Sequence, residues 1–144
     1  MHDNVDELHL ALINSYMTHK KRSFQCFQDL DLTTGQPKVL TVLNKDEGYL
    51  QKDLAKRCHV EPATMTSLLN NMEKKNLIYK EPVYVSGGKR ANSVYLTEKG
   101  RQLANKVIEI VNNIEEISFK NFNDDEKYTL INLLNRVTTN LETI

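Results

Sequence analysis

Apolar positions recur at three- and four-residue steps through most of this chain and change once, between residues 77 and 96, to the alternation of strands. Near the start, Val5, Leu8, Leu12 and Tyr16 form one helical face, and Phe24 and Phe27 extend it beyond a basic interruption at Lys20-Lys21-Arg22. Val39, Leu40, Val42 and Leu43 mark a second helix, with Thr33 and Gln36 spaced as its capping box. Leu54 and Ala55 give a short helix over residues 51–58 a small apolar face, and His59-Val60-Glu61 reads as a turn. Pro62 suits the first turn of the next helix, where the missing N–H has no intrahelical use and φ is already set. Met65, Leu68, Leu69 and Met72 are its buried face. Lys74 and Lys75 complement the helix dipole, and Asn76 is a left-handed terminator.

Residues 77–85 and 91–96 are rich in β-branched and aromatic side chains and predict a hairpin. Gly87-Gly88 permits positive φ at its tip, and Pro82 implies an edge strand or a bulge. Beyond it, Leu103, Val107, Ile110, Ile114 and Ile117 step by four, three, four and three, a heptad seam that needs covering. Asn123 and Glu126 cap a last helix, on which Leu130, Leu134, Val137 and Leu141 repeat the seam. The fold class expected is mainly α: a winged helix-turn-helix with a small β-hairpin wing, plus N- and C-terminal helices forming a dimerisation region. Residues 1–144 are read as one domain, with 32–101 the DNA-binding part and 1–31 and 102–144 the dimerisation part.

The chemistry lies in 50–101. On the outer side of the helix from Pro62, residues Ala63, Thr64, Thr66, Ser67, Asn70 and Asn71 are small, polar and uncharged. A solvated helix usually carries Glu/Lys pairs there, whereas hydroxyls, amides and a methyl suit base edges and phosphates. Asn70 is the expected reader of adenine, because an amide pairs with both N6 and N7. Arg90, on the hairpin tip, suits a narrow minor groove, and Lys80 and Lys89 suit the phosphate backbone. The chain of 144 residues is 40% hydrophobic with a formal net charge of zero. Yet between Leu50 and Arg101 ten Lys/Arg face five Asp/Glu, so the basic footprint is confined to the proposed DNA-binding part. Three apolar seams on the flanks exceed what one small motif can cover, which points to a two-fold homodimer.

Leu54-Ala55, the stretch from Thr64 to Leu77 with Met72-Glu73-Lys74-Lys75-Asn76-Leu77-Ile78, and Val94-Tyr95-Leu96-Thr97-Glu98-Lys99-Gly100 together resemble the MarR family of bacterial winged-helix transcriptional regulators. Leu32-Thr33-Thr34-Gly35-Gln36-Pro37 is similar to the start of that family's second helix. The resemblance covers nearly the whole chain. Asn76 stands where the family often has Gly, and Gly88-Lys89-Arg90 where it often has Asp-x-Arg. It implies a dimer with interleaved termini bound to double-stranded DNA, commonly as a repressor, and a two-fold dimer with reading helices roughly 34 Å apart makes an inverted repeat the expected operator. It also implies a small molecule or oxidant acting where the dimer helices meet the winged part. Tyr16, His19, Phe24, Val39 and Leu43 are candidates to line such an effector cleft, each with an ordinary core role as the alternative. Cys58, preceded by Lys56-Arg57 and followed by His59, is the better redox candidate, and Cys26 the other; inert buried thiols are the alternative.

Other classes find less support. His2, His9, His19 and His59 lack metal-ligand spacing, no cofactor motif is present, and no phosphate-cradling loop or nucleophile elbow points to an enzyme. No window approaches the roughly 20 apolar residues of a membrane span. The start, Met1-His2-Asp3-Asn4, has no signal-peptide character, so the cytoplasm is expected. The second functional reading is a winged-helix protein–protein interaction module that no longer binds an operator. Its polar face would then dock a protein.

Overall fold

The computed structural model describes residues 5–144, so the opening Met1-His2-Asp3-Asn4, with its candidate His2, lies outside the described residues. The helices are α1 (Val5–Phe27), α2 (Gln36–Lys45), α3 (Gln51–Arg57), α4 (Pro62–Lys74), α5 (Glu98–Ser118) and α6 (Asp124–Glu142). The strands are β1 (Tyr49–Leu50), β2 (Ile78–Val85) and β3 (Lys89–Leu96), in the order β1-β3-β2 with both pairings antiparallel. Two compact units result, the first ending at Val111 and the second running Asn112–Ile144.

In the first unit the apolar faces close on one another. Val39, Leu40 and Leu43 of α2, Leu54 and Ala55 of α3, and Met65, Leu69 and Met72 of α4 are buried with Leu77, Ile78, Val94 and Leu96 around the sheet. Ala104 and Val107 of α5 are buried in the same cluster, with Leu103 and Val111 against it. The front half of the expected heptad seam is therefore covered by the chain's own winged part, because α5 leaves the sheet directly over that core.

Chain reversals follow the side chains. The N–H of Leu77 donates to the carbonyl of Met72 and that of Asn76 to Glu73, with Asn76 at φ 62°, a left-handed helix stop. His59, at φ 55°, ends α3 in the same way, with Val60 donating to Ala55. Pro62 opens α4 as expected. Pro82 lies on β2, the edge strand, where its missing N–H costs no ladder bond. Gly100 permits a close approach: a Cβ there would sit 1.9 Å from the Leu77 carbonyl oxygen, which also accepts from the Thr97 N–H at 3.1 Å.

Three expectations change. β1 was not foreseen, since two residues show no alternation; it pairs Tyr49 and Leu50 with Val94 and Ser93. The Thr33–Gln36 box is half formed: Gln36 Oε1 accepts from the Thr33 N–H at 3.0 Å, but Gly35 takes the cap position without a side-chain bond. Asn71 turns inward from the polar face, its Oδ1 accepting at 2.8 Å from Nε2 of Gln36, a fully buried amide that ties α2 to α4.

The second unit carries α6. Its capping box is complete, with Asn123 Oδ1 accepting from the Glu126 N–H at 2.8 Å and Glu126 Oε1 from the Asn123 N–H at 2.9 Å. Phe119 and Phe122 meet edge to face, and Lys127 Nζ stands 5.9 Å from the Phe119 ring. Leu130, Ile131, Leu133, Leu134 and Leu141 nevertheless remain exposed. On α1, in the first unit, so do Leu8, Leu10, Leu12, Ile13 and Met17. Among the described residues no helix is long and apolar enough to cross a membrane.

Candidate nucleic-acid interface

With Met65, Leu68, Leu69 and Met72 turned into the core, helical geometry sends Ala63, Thr64, Thr66, Ser67 and Asn70 outward, and all five are exposed with Pro62. Two of these side chains already have partners. The Thr66 hydroxyl donates to the Pro62 carbonyl at 3.1 Å and accepts from Gln51 Nε2 at 2.8 Å. Asn70 Oδ1 accepts from Lys80 Nζ at 2.8 Å, and that ammonium stands 3.9 Å from Glu73. Lys75 Nζ donates to the Asp31 carbonyl at 2.7 Å, and its own carbonyl accepts from Lys99 Nζ, fixing the far end of α4.

The strand register separates the two basic residues of the tip. Arg90 pairs with Tyr84 and Lys89 with Val85, so they lie on opposite sheet faces. Arg90, Asn92, Val94 and Leu96 share a face with Tyr84, Pro82, Lys80 and Ile78. That face is buried at its root, through Ile78, Val94 and Leu96, and meets α4 through Lys80. It continues outward to Tyr84, 78% exposed, and Arg90. Between α3, α4 and β3 lies a cleft of about 300 Å³ lined by Leu50, Gln51, Lys52, Pro62, Thr66, Ala91 and Asn92. The polar helix face, the cleft and the wing face are thus continuous.

Glu47 holds the wing root in place. Its Oε1 accepts from the Leu96 N–H and its Oε2 from Arg101 Nη2, both at 2.7 Å. Burial alone would raise the Glu47 carboxyl, but the hydrogen bonds from Arg101 and Leu96 and the charge of Arg101 outweigh it and hold it below its ordinary value.

A sequence model described as the MarR family matches residues 32–83. The uncharacterized HTH-type transcriptional regulator YybA of Bacillus subtilis (strain 168) is 30% identical over 116 residues, spanning 81% of this chain and 76% of its own. The chain belongs to the MarR family. That family consists of winged-helix transcriptional regulators rather than enzymes. Solved structures share the MarR fold with it. A MarR family regulator from Listeria monocytogenes, complexed with a 26mer DNA, superposes with a TM-score of 0.81 at 24% identity, covering 98% of this chain and 90% of that one. BpsR of Bordetella bronchiseptica, whose DNA binding is regulated by 6-hydroxynicotinic acid, gives 0.79 at 22% identity, covering 92% and 98%.

Several expected site residues of this MarR chain sit differently. Lys80 is not a free backbone clamp: its side chain is only 15% exposed and is held by Asn70 and Glu73. The five effector-cleft candidates divide between two surroundings. Val39 and Leu43 are sealed in the core, on the inward side of α2, while Tyr16, His19 and Phe24 are exposed on α1. Cys58 is 2% exposed, and burial pushes its thiol up despite the charges of Lys38 and Arg57, the opposite of an activated thiolate. Cys26 is half-buried on α1. Among the described residues no cluster could hold a metal ion. Gln51 and Asn92 line the cleft and Tyr84 stands on the outer part of the wing face, though none of the three was among the expected site residues. Counting by two from Arg90 reaches Asn92, and the hairpin register reaches Tyr84; nothing local marks Gln51.

Proposed function

We propose that this chain is a homodimeric transcriptional regulator of the MarR family that binds double-stranded DNA at an inverted repeat. In this reading α4 enters the major groove with Pro62, Ala63, Thr64, Thr66, Ser67 and Asn70 nearest the bases and phosphates. Arg90 enters the adjacent minor groove and Lys89 holds the backbone. The observation that carries the reading is the continuity of the small, polar outer face of α4 with the sheet face that ends in Arg90. The DNA complex of the Listeria relative supports it by analogy.

Dimerisation rests on a separate feature. On α6, Leu130, Leu133, Leu134 and Leu141 are left exposed along one side at helical spacing, and α1 separately leaves Leu8, Leu12 and Tyr16 exposed; a second copy of the chain offers matching apolar cover. Two copies set their reading helices roughly 34 Å apart, one turn of DNA. Repression is the outcome implied by the family resemblance, with the cytoplasm as its place of work. Control by a small molecule follows the BpsR relative, so aromatic acids are the first effectors to screen; the buried Cys58 makes an oxidant the weaker choice.

Selection of bound sequences from random duplexes, repeated at two salt concentrations, tests the reading. The expected result is an enriched inverted repeat with half-sites one turn apart and affinity that falls steeply with salt. Absence of any enriched sequence in dilute buffer would reject it in favour of the protein-docking alternative.

A further inference from the structure

The operator reading leaves open which bases α4 recognises, and the contact between Asn70 and Lys80 narrows the answer. We propose that Lys80, a positioning residue outside the recognition helix, presets Asn70 as a hydrogen-bond donor, so that each half-site is read at guanine. This rests on the operator reading above. An ammonium has three donors and no acceptor, so the atom of the Asn70 amide that meets Lys80 Nζ at 2.8 Å is the oxygen. Chemistry alone settles which way the amide is turned. Lys80 is in turn held 3.9 Å from Glu73 and is largely covered by its surroundings, so it does not swing freely.

Lys80 takes one of the two lone pairs of the Asn70 oxygen and fixes which way the amide faces, so the two amide N–H groups and the remaining protons of the Lys80 ammonium stand side by side as donors. Adenine presents an acceptor at N7 and a donor at N6, and bidentate pairing would make the N6 donor share the Asn70 oxygen with an ammonium whose own protons and charge repel it. Guanine presents two acceptors, N7 and O6, and accepts from a donor-only pair. The adenine preference expected of a free asparagine therefore turns into a guanine preference. Thr66, one turn earlier on the same face, is set similarly. Its hydroxyl proton goes to the Pro62 carbonyl and it accepts from Gln51, so it has no donor left to offer and meets a base through its methyl or its remaining lone pair.

The test compares sequences selected from random duplexes by the wild-type chain, Lys80→Met, Lys80→Arg and Asn70→Ala, each checked for a cooperative thermal transition. The expected result is guanine at one position of each wild-type half-site and retention of it by Lys80→Arg, which is also donor-only. Lys80→Met should favour adenine there by about tenfold, and Asn70→Ala should lose preference at that position alone. A measurement on the wild-type chain keeps the test independent of folding: replacing that guanine by 7-deazaguanine, which lacks the N7 acceptor, should weaken binding about tenfold. Three results would overturn the proposal. They are adenine selected by the wild type at the position Asn70 controls, a uniform loss of affinity in Lys80→Met with base preference unchanged, and indifference to 7-deazaguanine. A wild-type chain that selects no sequence fails at the operator reading itself, a different outcome from a selected repeat that ignores Lys80.

Discussion

Two rows of exposed residues at helical spacing, one on α4 and one on α6, differ in nearly every chemical respect. The α4 row is Ala63, Thr64, Thr66, Ser67 and Asn70, short side chains that carry hydroxyls, an amide and a methyl. The α6 row is Leu130, Ile131, Leu133, Leu134 and Leu141, which leave large apolar areas in water. Both helices are amphipathic, but only α4 has its apolar side closed by the unit it belongs to. An exposed apolar row is costly alone and calls for another apolar row; an exposed row of small hydrogen-bonding groups is stable in water and gains only from a partner with ordered donors and acceptors. Hence the α6 row suits a second copy of the chain and the α4 row suits DNA.

Charging the α6 row is the largest perturbation of this contrast. In the proposed dimer, Leu130→Glu with Leu134→Glu would put charged carboxylates where apolar cover is needed, which costs several kcal/mol. Sedimentation should show dimer dissociation strengthened at least about 100-fold, with operator affinity falling in parallel and the helical content of the winged unit retained. A variant that stayed dimeric would assign the α6 row to another partner.

The frame behind the α4 row is tested by Gly100→Ala. The new methyl would collide with the Leu77 carbonyl, a backbone atom that also accepts from Thr97 and has no side chain to move aside. Urea unfolding should show a loss of about 3 kcal/mol. Gly87→Ala at the tip meets nothing within 4 Å and carries only the strain of φ +80°, so it should cost about 1 kcal/mol. Next in size is Arg90→Ala, expected to weaken operator binding by about 2 kcal/mol in a gel-shift titration while leaving dimerisation untouched. Lys89→Ala, on the opposite sheet face, should cost less and mainly flatten the salt dependence.

Much of this architecture could be read before any coordinates. Pro62, Asn76 and the Asn123–Glu126 pair each mark a helix end through chemistry confined to a few residues, and the Met65-to-Met72 spacing gives the inward side of α4. What escaped depends on residues far apart in the chain. Asn71 looks like one more polar residue on the outer face until Gln36, 35 positions away, is found beneath it. Asn70 reads as a free amide until β2 brings Lys80 alongside. The heptad pattern of α5 shows that a face must be covered, but Leu103 and Val107 find their cover in the chain's own core. Val39 and Leu43 were candidates for a cleft because periodicity marks an apolar side without distinguishing a sealed core from a cavity wall.

The smallest effect concerns Glu47, whose carboxylate links the wing root to α5. Its folded pKa lies below the ordinary value of 4.5, so the unfolded chain takes up a proton more readily than the folded one. The stabilisation is therefore complete above about pH 4.5 and is lost as pH falls through the folded pKa. Both partners are partly exposed, Glu47 at 27% and Arg101 at 43% of their side chains, so solvent screening keeps the contribution small. Glu47→Gln should lower stability slightly at pH 7 and make the slope of unfolding free energy shallower below about pH 4.5. Equal slopes for the two proteins would show that Glu47 titrates alike in folded and unfolded chains.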